Sequence, residues 1–260
     1  MTPALAGLCA VLGLAVGSFL NVVVWRVPRG GSVVSPPSAC PACASPVRPR
    51  DNVPVLSWVL LRGRCRDCAA GISVRYPLVE LATAALFAVL ALRLGPDPAL
   101  PAYLYLAAVG LALALIDVEV RRLPDVLTLP SYAVVAGLLV LAAVLGSTSG
   151  DLRRALLGGA AVFAFYFVLC LAHPAGMGFG DVKLSGVLGL AMGWLGWGAL
   201  AVGLFGGFLL GGLWGAALIA RGRGGRKSAV PFGPFMLLGA LVAVLAGQPL
   251  ADAYVHLTLG

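Results

Sequence analysis

The chain is predicted to be an all-α polytopic membrane protein with about eight transmembrane helices and a small cytoplasmic zinc-binding insert after the first helix. Three observations carry this. Hydrophobic residues make up 60% of the 260 and charged residues 11%, with a mean hydropathy of +1.00, whereas a soluble domain carries roughly a quarter charged residues. Apolar runs recur along almost the whole length, most of them near the roughly 20 residues needed to cross a bilayer. Between the first run and the second lies one segment of different character, rich in Arg, Pro and Cys.

Residues 2–25 hold no charged side chain and are expected to form the first transmembrane helix. They lack a basic leading region and a small-residue cleavage site, so a retained helix is expected rather than a cleaved signal peptide. Residues 26–76 form the insert, and up to residue 75 they carry eight arginines, two aspartates and four cysteines. Apolar runs follow at 77–94, 100–117, 125–146, 155–172, 183–198, 199–220 and 231–256, a seven-helix domain spanning 77–260. The division of 183–220 into two helices rests on the glycines and tryptophans between Gly193 and Gly198.

Charge fixes the expected orientation. With the N-terminus outside and eight alternating spans, every Lys and Arg except Arg93, Arg153 and Arg154 lies on the inner side, including those of the loop 221–230. This satisfies the positive-inside rule, and the reverse orientation violates it. The net charge of +8 is thereby explained by topology, and no nucleic-acid partner is expected. The same topology brings Asp117, Asp125 and Asp181 to one membrane face. The 35 glycines suit close helix approach, with ordinary tight packing the simplest role for most of them.

Cys40-Pro-Ala-Cys43 and Cys65-Arg-Asp-Cys68 are two CxxC knuckles 21 residues apart. Four thiolates at this spacing suit a tetrahedral structural zinc ion. A reducing cytosol argues against disulfides, and a redox CxxC needs only one pair. So small an insert would take much of its folding free energy from the metal. Its arginines either attract anionic lipid head groups or simply enforce topology. Cys9 and Cys170, isolated in apolar runs, are read as small buried hydrophobes.

The acids are the costliest residues here. Carboxylates in or beside a bilayer usually face an interior or a watery cavity. Three chemistries compete for Asp117, Asp125 and Asp181. Two close carboxylates can share a proton and activate water, as in an aspartyl protease. Acids can line a proton or cation path in a transporter or channel whose insert is regulatory. Asp125 and Asp181 can simply cap helices. Gly178-Phe179-Gly180-Asp181 favours catalysis, because small residues beside an acid let a substrate backbone approach. Asp117 is expected at a helix C-terminus, where the dipole disfavours a negative charge, which suits a shared-proton pair with Asp181. Asp125, at a helix N-terminus, suits an orienting role. Glu119 reads as a solvated loop acid, and Lys183 as either a tuning cation or a snorkelling anchor.

These residues together resemble the type IV prepilin leader peptidase (prepilin peptidase/N-methyltransferase) family, over nearly the whole chain. The opening segment Gly17-Ser18-Phe19-Leu20-Asn21-Val22-Val23-Val24-Trp25-Arg26-Val27-Pro28 is similar to that of the family, as are the paired CxxC knuckles and Tyr76-Pro77-Leu78-Val79-Glu80. Asp117 to Asp125 with Leu123-Pro124-Asp125, and Gly176-Met177-Gly178-Phe179-Gly180-Asp181-Val182-Lys183, resemble its catalytic blocks. Pro231-Phe232-Gly233-Pro234-Phe235 resembles its closing motif. The resemblance implies a GxGD-type intramembrane aspartyl protease of the bacterial inner membrane. It implies Asp117 and Asp181 as the catalytic pair, with Asp125, Gly178, Gly180 and Lys183 supporting. The substrates implied are type IV prepilins or pseudopilins, whose basic leaders are cut at the cytoplasmic membrane face. S-adenosylmethionine is implied as methyl donor for the new N-terminus, because minimal relatives lacking the insert are peptidases only. No glycine-rich fingerprint locates the donor's site.

Overall fold

A computed structural model describes residues 2–147, 150–173, 176–222 and 231–259. The loop 221–230, one of the basic inner loops expected from the sequence, lies outside the described residues from 223 onward. The helices are α1 (Thr2–Arg26), α2 (Leu56–Leu60), α3 (Arg75–Leu94), α4 (Leu100–Val120), α5 (Asp125–Val144), α6 (Leu152–Ala172), α7 (Phe179–Leu195), α8 (Trp197–Ala220) and α9 (Gly233–Leu259). All eight expected long helices are present. Seven of them are long and apolar enough to cross a membrane, and α7, at 17 residues, is the eighth. The single residue Gly196, at φ 157°, separates α7 from α8, so the glycine-rich region does divide the stretch in two.

Contacts divide the chain into two units, Met1–Pro96 and Asp97–Gly260. In the first, α1 packs along α3. Gly13 and Gly17, one turn apart, set their separation. A Cβ on Gly13 would lie 2.7 Å from the Ala84 backbone, and one on Gly17 2.7 Å from that of Glu80. This is the small-xxx-small contact by which apolar helices gain dispersion where burial from water supplies no drive. Asn21 adds a bond from its side-chain amide to the Tyr76 carbonyl at 3.2 Å. The insert folds between the two helices. Glu80, buried on α3, accepts from the Val55 amide at 2.7 Å and so ties α3 to the turn that begins α2.

In the second unit α7 is the central helix. It is buried without a break from Leu184 to Trp194 and packs against α5, α6, α8 and α9. Apolar residues all round a helix are what such a position requires. Its glycines meet small residues opposite: a Cβ on Gly189 would lie 2.7 Å from the Gly158 carbonyl oxygen, and one on Gly193 2.7 Å from that of Arg154. The C-terminal carbonyls of α7 have no intrahelical donors. Arg154 supplies them, from Nε to Gly193 at 2.9 Å and from Nη2 to Trp194 at 2.8 Å. Asp151 caps α6 by accepting from the Arg154 amide at 2.9 Å. Arg154, an exception to the charge rule in the sequence, is therefore a helix-terminating side chain.

Candidate active site

The acids gather where α4 ends and α5, α7 and α9 begin. Asp117 lies one turn inside α4, which continues to Val120 before Arg121 closes it in a left-handed conformation, its amide bonded to the Asp117 carbonyl at 2.8 Å. The Asp117 side chain is buried, and its Oδ2 accepts from the backbone N–H of Gly233 at 3.1 Å. Gly233 is the first residue of α9. Asp117 stands in the last turn of α4, as expected, and its carboxyl meets a second helix end as well. That second end is the N-terminus of α9, whose free N–H groups favour negative charge. The sequence places α9 only by its hydropathy, so this partner was not legible beforehand. Its signal was Pro231-Phe232-Gly233-Pro234-Phe235, which hydropathy leaves unexplained.

Asp181 is the third residue of α7, close enough to Asp117 for the two carboxyls to repel one another. Gly178 stands at the N-cap in extended conformation, and the Asp181 amide donates to its carbonyl at 3.1 Å. The N-cap residues Pro124 of α5 and Gly178 of α7 have no side chain that caps, while the Asp181 carboxyl reaches back to accept from the Gly178 backbone N–H, so it does cap the first turn of α7. Leu123 lies between the two carboxylate-bearing segments. A Cβ on Gly180 would be 3.1 Å from Leu123 Cβ, and one on Gly233 3.4 Å from Leu123 Cδ2 and 2.9 Å from Asp117 Oδ2. The two glycines leave the space that Leu123 and the Asp117 carboxyl occupy. An aromatic cluster, Tyr166, Phe208 and Phe232, lies next to this point in the chain fold, with ring centroids 5.2 to 6.3 Å apart.

Asp125 opens α5 and pairs with Lys183 on α7, Nζ to Oδ1 at 2.7 Å and to Oδ2 at 2.8 Å. The Asp125 side chain is 55% exposed and that of Lys183 22%. Lys183 is therefore the partner of Asp125. Tyr132 of α5 bonds the Lys183 carbonyl at 2.6 Å, a second tie between the starts of α5 and α7. Glu119 is exposed as expected, but it lies in the last turn of α4, which runs past it to Val120, and not in a loop.

In the other unit, the sulfurs of Cys40, Cys43, Cys65 and Cys68 all lie within 4.8 Å of one another. The two knuckles are built alike. Ala44 bonds back to the Cys40 carbonyl and Ala69 to the Cys65 carbonyl, both alanines at φ 58°. Antiparallel bridges Ala39–Pro46 and Arg64–Gly71 close each knuckle. Cys40 and Cys68 Sγ are 3.8 Å apart, which is about the separation that a tetrahedral ion with metal–sulfur bonds of about 2.3 Å imposes. The hydroxyl and amide of Ser45 draw the Cys43 thiol down to about 6. At Cys68 the Ala70 amide acts downward, yet hydrogen bonds with the neighbouring thiols and burial push it up to about 12. Without a cation the four sulfurs cannot all ionise together, and that is the demand a metal would meet. Arg48–Asp67 at 2.8 Å and Arg66–Asp51 at 2.6 Å brace the knuckles from outside.

With this geometry in place, the comparisons with known proteins become decisive. Residues 11–94 match the bacterial peptidase A24 N-terminal domain, and residues 104–216 match the type IV leader peptidase family. The chain belongs to the type IV leader peptidase family. A prepilin leader peptidase/N-methyltransferase of Aeromonas salmonicida is 35% identical, over 96% of this chain and 93% of the relative. One from Burkholderia pseudomallei is 39% identical, over 92% of this chain and 84% of the relative. One from Bacillus subtilis is 33% identical, over 96% and 98% respectively. No solved structure matches the chain. The two family matches fall one on each contact unit, with the cysteine cluster inside the first and the acids inside the second.

Proposed function

We propose that this multi-pass membrane protein cleaves the basic leader from type IV prepilins or pseudopilins, with Asp117 and Asp181 as the catalytic pair, and then N-methylates the new terminus. The single observation that carries the catalytic assignment is the approach of the Asp181 carboxyl to that of Asp117, which is held by the α9 N-terminus. The Gly233 amide makes Asp117 the charged member, which takes a proton from water as that water attacks the scissile carbonyl. Asp181, protonated, donates a hydrogen bond to the carbonyl oxygen, so that charge developing there is stabilised. Gly178 leaves room for substrate backbone beside Asp181, while Gly180 lets Leu123 pack against the start of α7. Asp125 and Lys183 hold the starts of α5 and α7 together.

Positive-inside charge supports an outward N-terminus, an insert in the cytoplasm and residence in the bacterial inner membrane. The proposed division into 1–25, 26–76 and 77–260 follows the change of composition along the sequence, whereas contacts group α3 with α1. Four thiols at tetrahedral spacing support structural zinc on Cys40, Cys43, Cys65 and Cys68. S-adenosylmethionine is the methyl donor that the relatives' name implies, and when bound it supplies a methyl group on a cationic sulfur. The transporter reading gains no support, since the acids collect at one end of the second unit's helices and not midway along them.

The reading is tested by incubating the purified protein in detergent with a prepilin and labelled S-adenosylmethionine and following the mass of the product. Loss of the leader followed by a gain of one labelled methyl group is the expected outcome. A prepilin left intact under every condition contradicts the proposed activity.

A further inference from the structure

One buried phenol beside the acids has no role in the two-carboxyl chemistry. Helices α6 and α7 pack in an antiparallel register that their contacts make plain. Gly193 lies against the Arg154 carbonyl oxygen, Gly189 against that of Gly158, and the Ser185 hydroxyl against that of Val162. Each step moves four residues along both helices, the spacing at which side chains stack on one face. The next step sets Asp181 opposite Tyr166, and the charge of the Asp181 carboxyl reaches the Tyr166 hydroxyl. Tyr166 is 2% exposed. A buried tyrosine usually gives its hydroxyl a partner, as Tyr103 does at the Ala191 carbonyl and Tyr132 at that of Lys183. Among the described residues the Tyr166 hydroxyl has none, whereas every fully enclosed side-chain polar atom is bonded. The Tyr166 oxygen is therefore not enclosed and faces space that admits water. Its ring is fixed 5.4 Å from that of Phe208 and 6.3 Å from that of Phe232. Phe232 in turn precedes Gly233, whose amide holds Asp117. The cavity that Tyr166 shares with Ser185 measures ≈ 10 Å³ and has room for no more than a water molecule.

We propose that Tyr166 is a third catalytic residue of leader cleavage, its hydroxyl donating a second hydrogen bond to the scissile carbonyl oxygen beside Asp181. The proposal rests on the assignment of Asp117 and Asp181 and adds a donor to that pair. A carbonyl oxygen that accepts from Asp181 lies about 3 Å from that carboxyl, at the face of α7 that Tyr166 opposes. A phenol is neutral and a donor at neutral pH, so it brings hydrogen-bonding power without a third charge among apolar helices. A donor held rigidly in a site poor in water stabilises developing charge more than the same group does in water. Packing alone does not call for the hydroxyl, since phenylalanine fills the neighbouring positions 208 and 232. In the reaction water adds to the carbonyl carbon and gives a proton to Asp117, while the π pair moves onto the oxygen. The Asp181 and Tyr166 hydroxyls donate to that oxygen. When the pair returns, the carbon–nitrogen bond breaks and the amine leaves with the proton that Asp117 took.

The test is Tyr166→Phe in the purified full chain, assayed for prepilin cleavage in detergent. The substitution removes the hydroxyl and keeps the ring packing. It is expected to lower kcat by about 100- to 1,000-fold, the effect of losing one donor to a developing oxyanion, with KM and thermal stability unchanged. A fluorescent prepilin should bind Asp117→Asn and the Asp117→Asn, Tyr166→Phe double variant equally, because the bond strengthens only as charge develops. A kcat near that of wild type overturns the proposal while leaving the carboxyl pair intact, provided that wild type cleaves and Asp181→Asn does not. A lower kcat that comes with lower thermal stability or weaker prepilin binding also overturns it, since the hydroxyl would then serve packing or ground-state binding. A wild type that cleaves no prepilin overturns both this proposal and the activity on which it rests.

Discussion

Asp117, the acid proposed as catalytic, shows how much of such a group's surroundings comes from a distant stretch of chain. Hydropathy places it near the end of a helix, where it lies, but the hydrogen-bond partner of its carboxyl is set by the fold. The partner lies 116 positions along the chain, and a sequence read locally has no access to it. Gly233 is consequently more than a permissive residue. In Gly233→Ala the new methyl group would stand 2.9 Å from Asp117 Oδ2, so the carboxyl must shift. Leader cleavage should fall by about 10- to 100-fold in kcat, the scale of a misplacement of about 1 Å, with thermal stability in detergent nearly unchanged. Asp125 sets the opposite expectation. Its pair with Lys183 is largely exposed, and such pairs contribute at most about 1 kcal/mol. Asp125→Asn should therefore shift stability by no more than that, and should lower kcat by less than about tenfold. A loss as complete as that expected for the catalytic pair would show that Asp125 touches the reacting atoms.

At the level of the element, the sequence was most legible where composition alone decides the outcome. All eight long helices fall close to their apolar runs, and the break at Gly196 lies inside the stretch where glycine and tryptophan pointed to it. Helix ends were less legible because hydropathy does not detect caps. Thus α7 begins at Phe179 and takes Asp181 into its first turn, and α6 begins at Leu152 because Asp151 caps it. The knuckles were legible from cysteine spacing, but the tie from Glu80 to Val55 was not, since nothing local marks a carboxylate destined for a turn 25 residues earlier. Close approach of α7 to α6 depends on glycine. Gly189→Val would drive side-chain atoms into the Gly158–Gly159 backbone, and it should destabilise the protein by about 1–3 kcal/mol or more in a denaturation titration.

The insert has a pH dependence of its own. The hydrogen bond and charge of Arg66 hold the Asp51 carboxyl below its ordinary value. A lowered acid contributes stability above the ordinary carboxylate range and loses it as pH falls through the folded value. On acidification zinc should leave first, as protons compete for the four thiolates. Asp51→Asn should weaken the insert at pH 7, and the difference from wild type should close below about pH 4. Zinc content and proteolytic sensitivity, measured together along the titration, check both halves. Zinc retained by a Cys40→Ser, Cys65→Ser double variant would contradict the four-sulfur site.

Taken as a whole molecule, the chain is two units, each organised around a different costly feature. In the first, four thiols that repel one another when ionised call for a cation, and a short helix and two braced knuckles hold them in place. In the second, two carboxyls that repel one another call for a shared proton, and three helix starts and one helix end hold them. Family membership covers both units, as expected of one enzyme that cuts and then modifies the same substrate end. The most direct measurement of its central claim is cleavage of a purified prepilin by Asp117→Asn and Asp181→Asn, each checked for expression, zinc content and thermal stability equal to wild type. The account predicts that each single variant loses leader removal altogether. Cleavage by either variant at a rate near that of wild type would show that the two acids are not the catalytic pair.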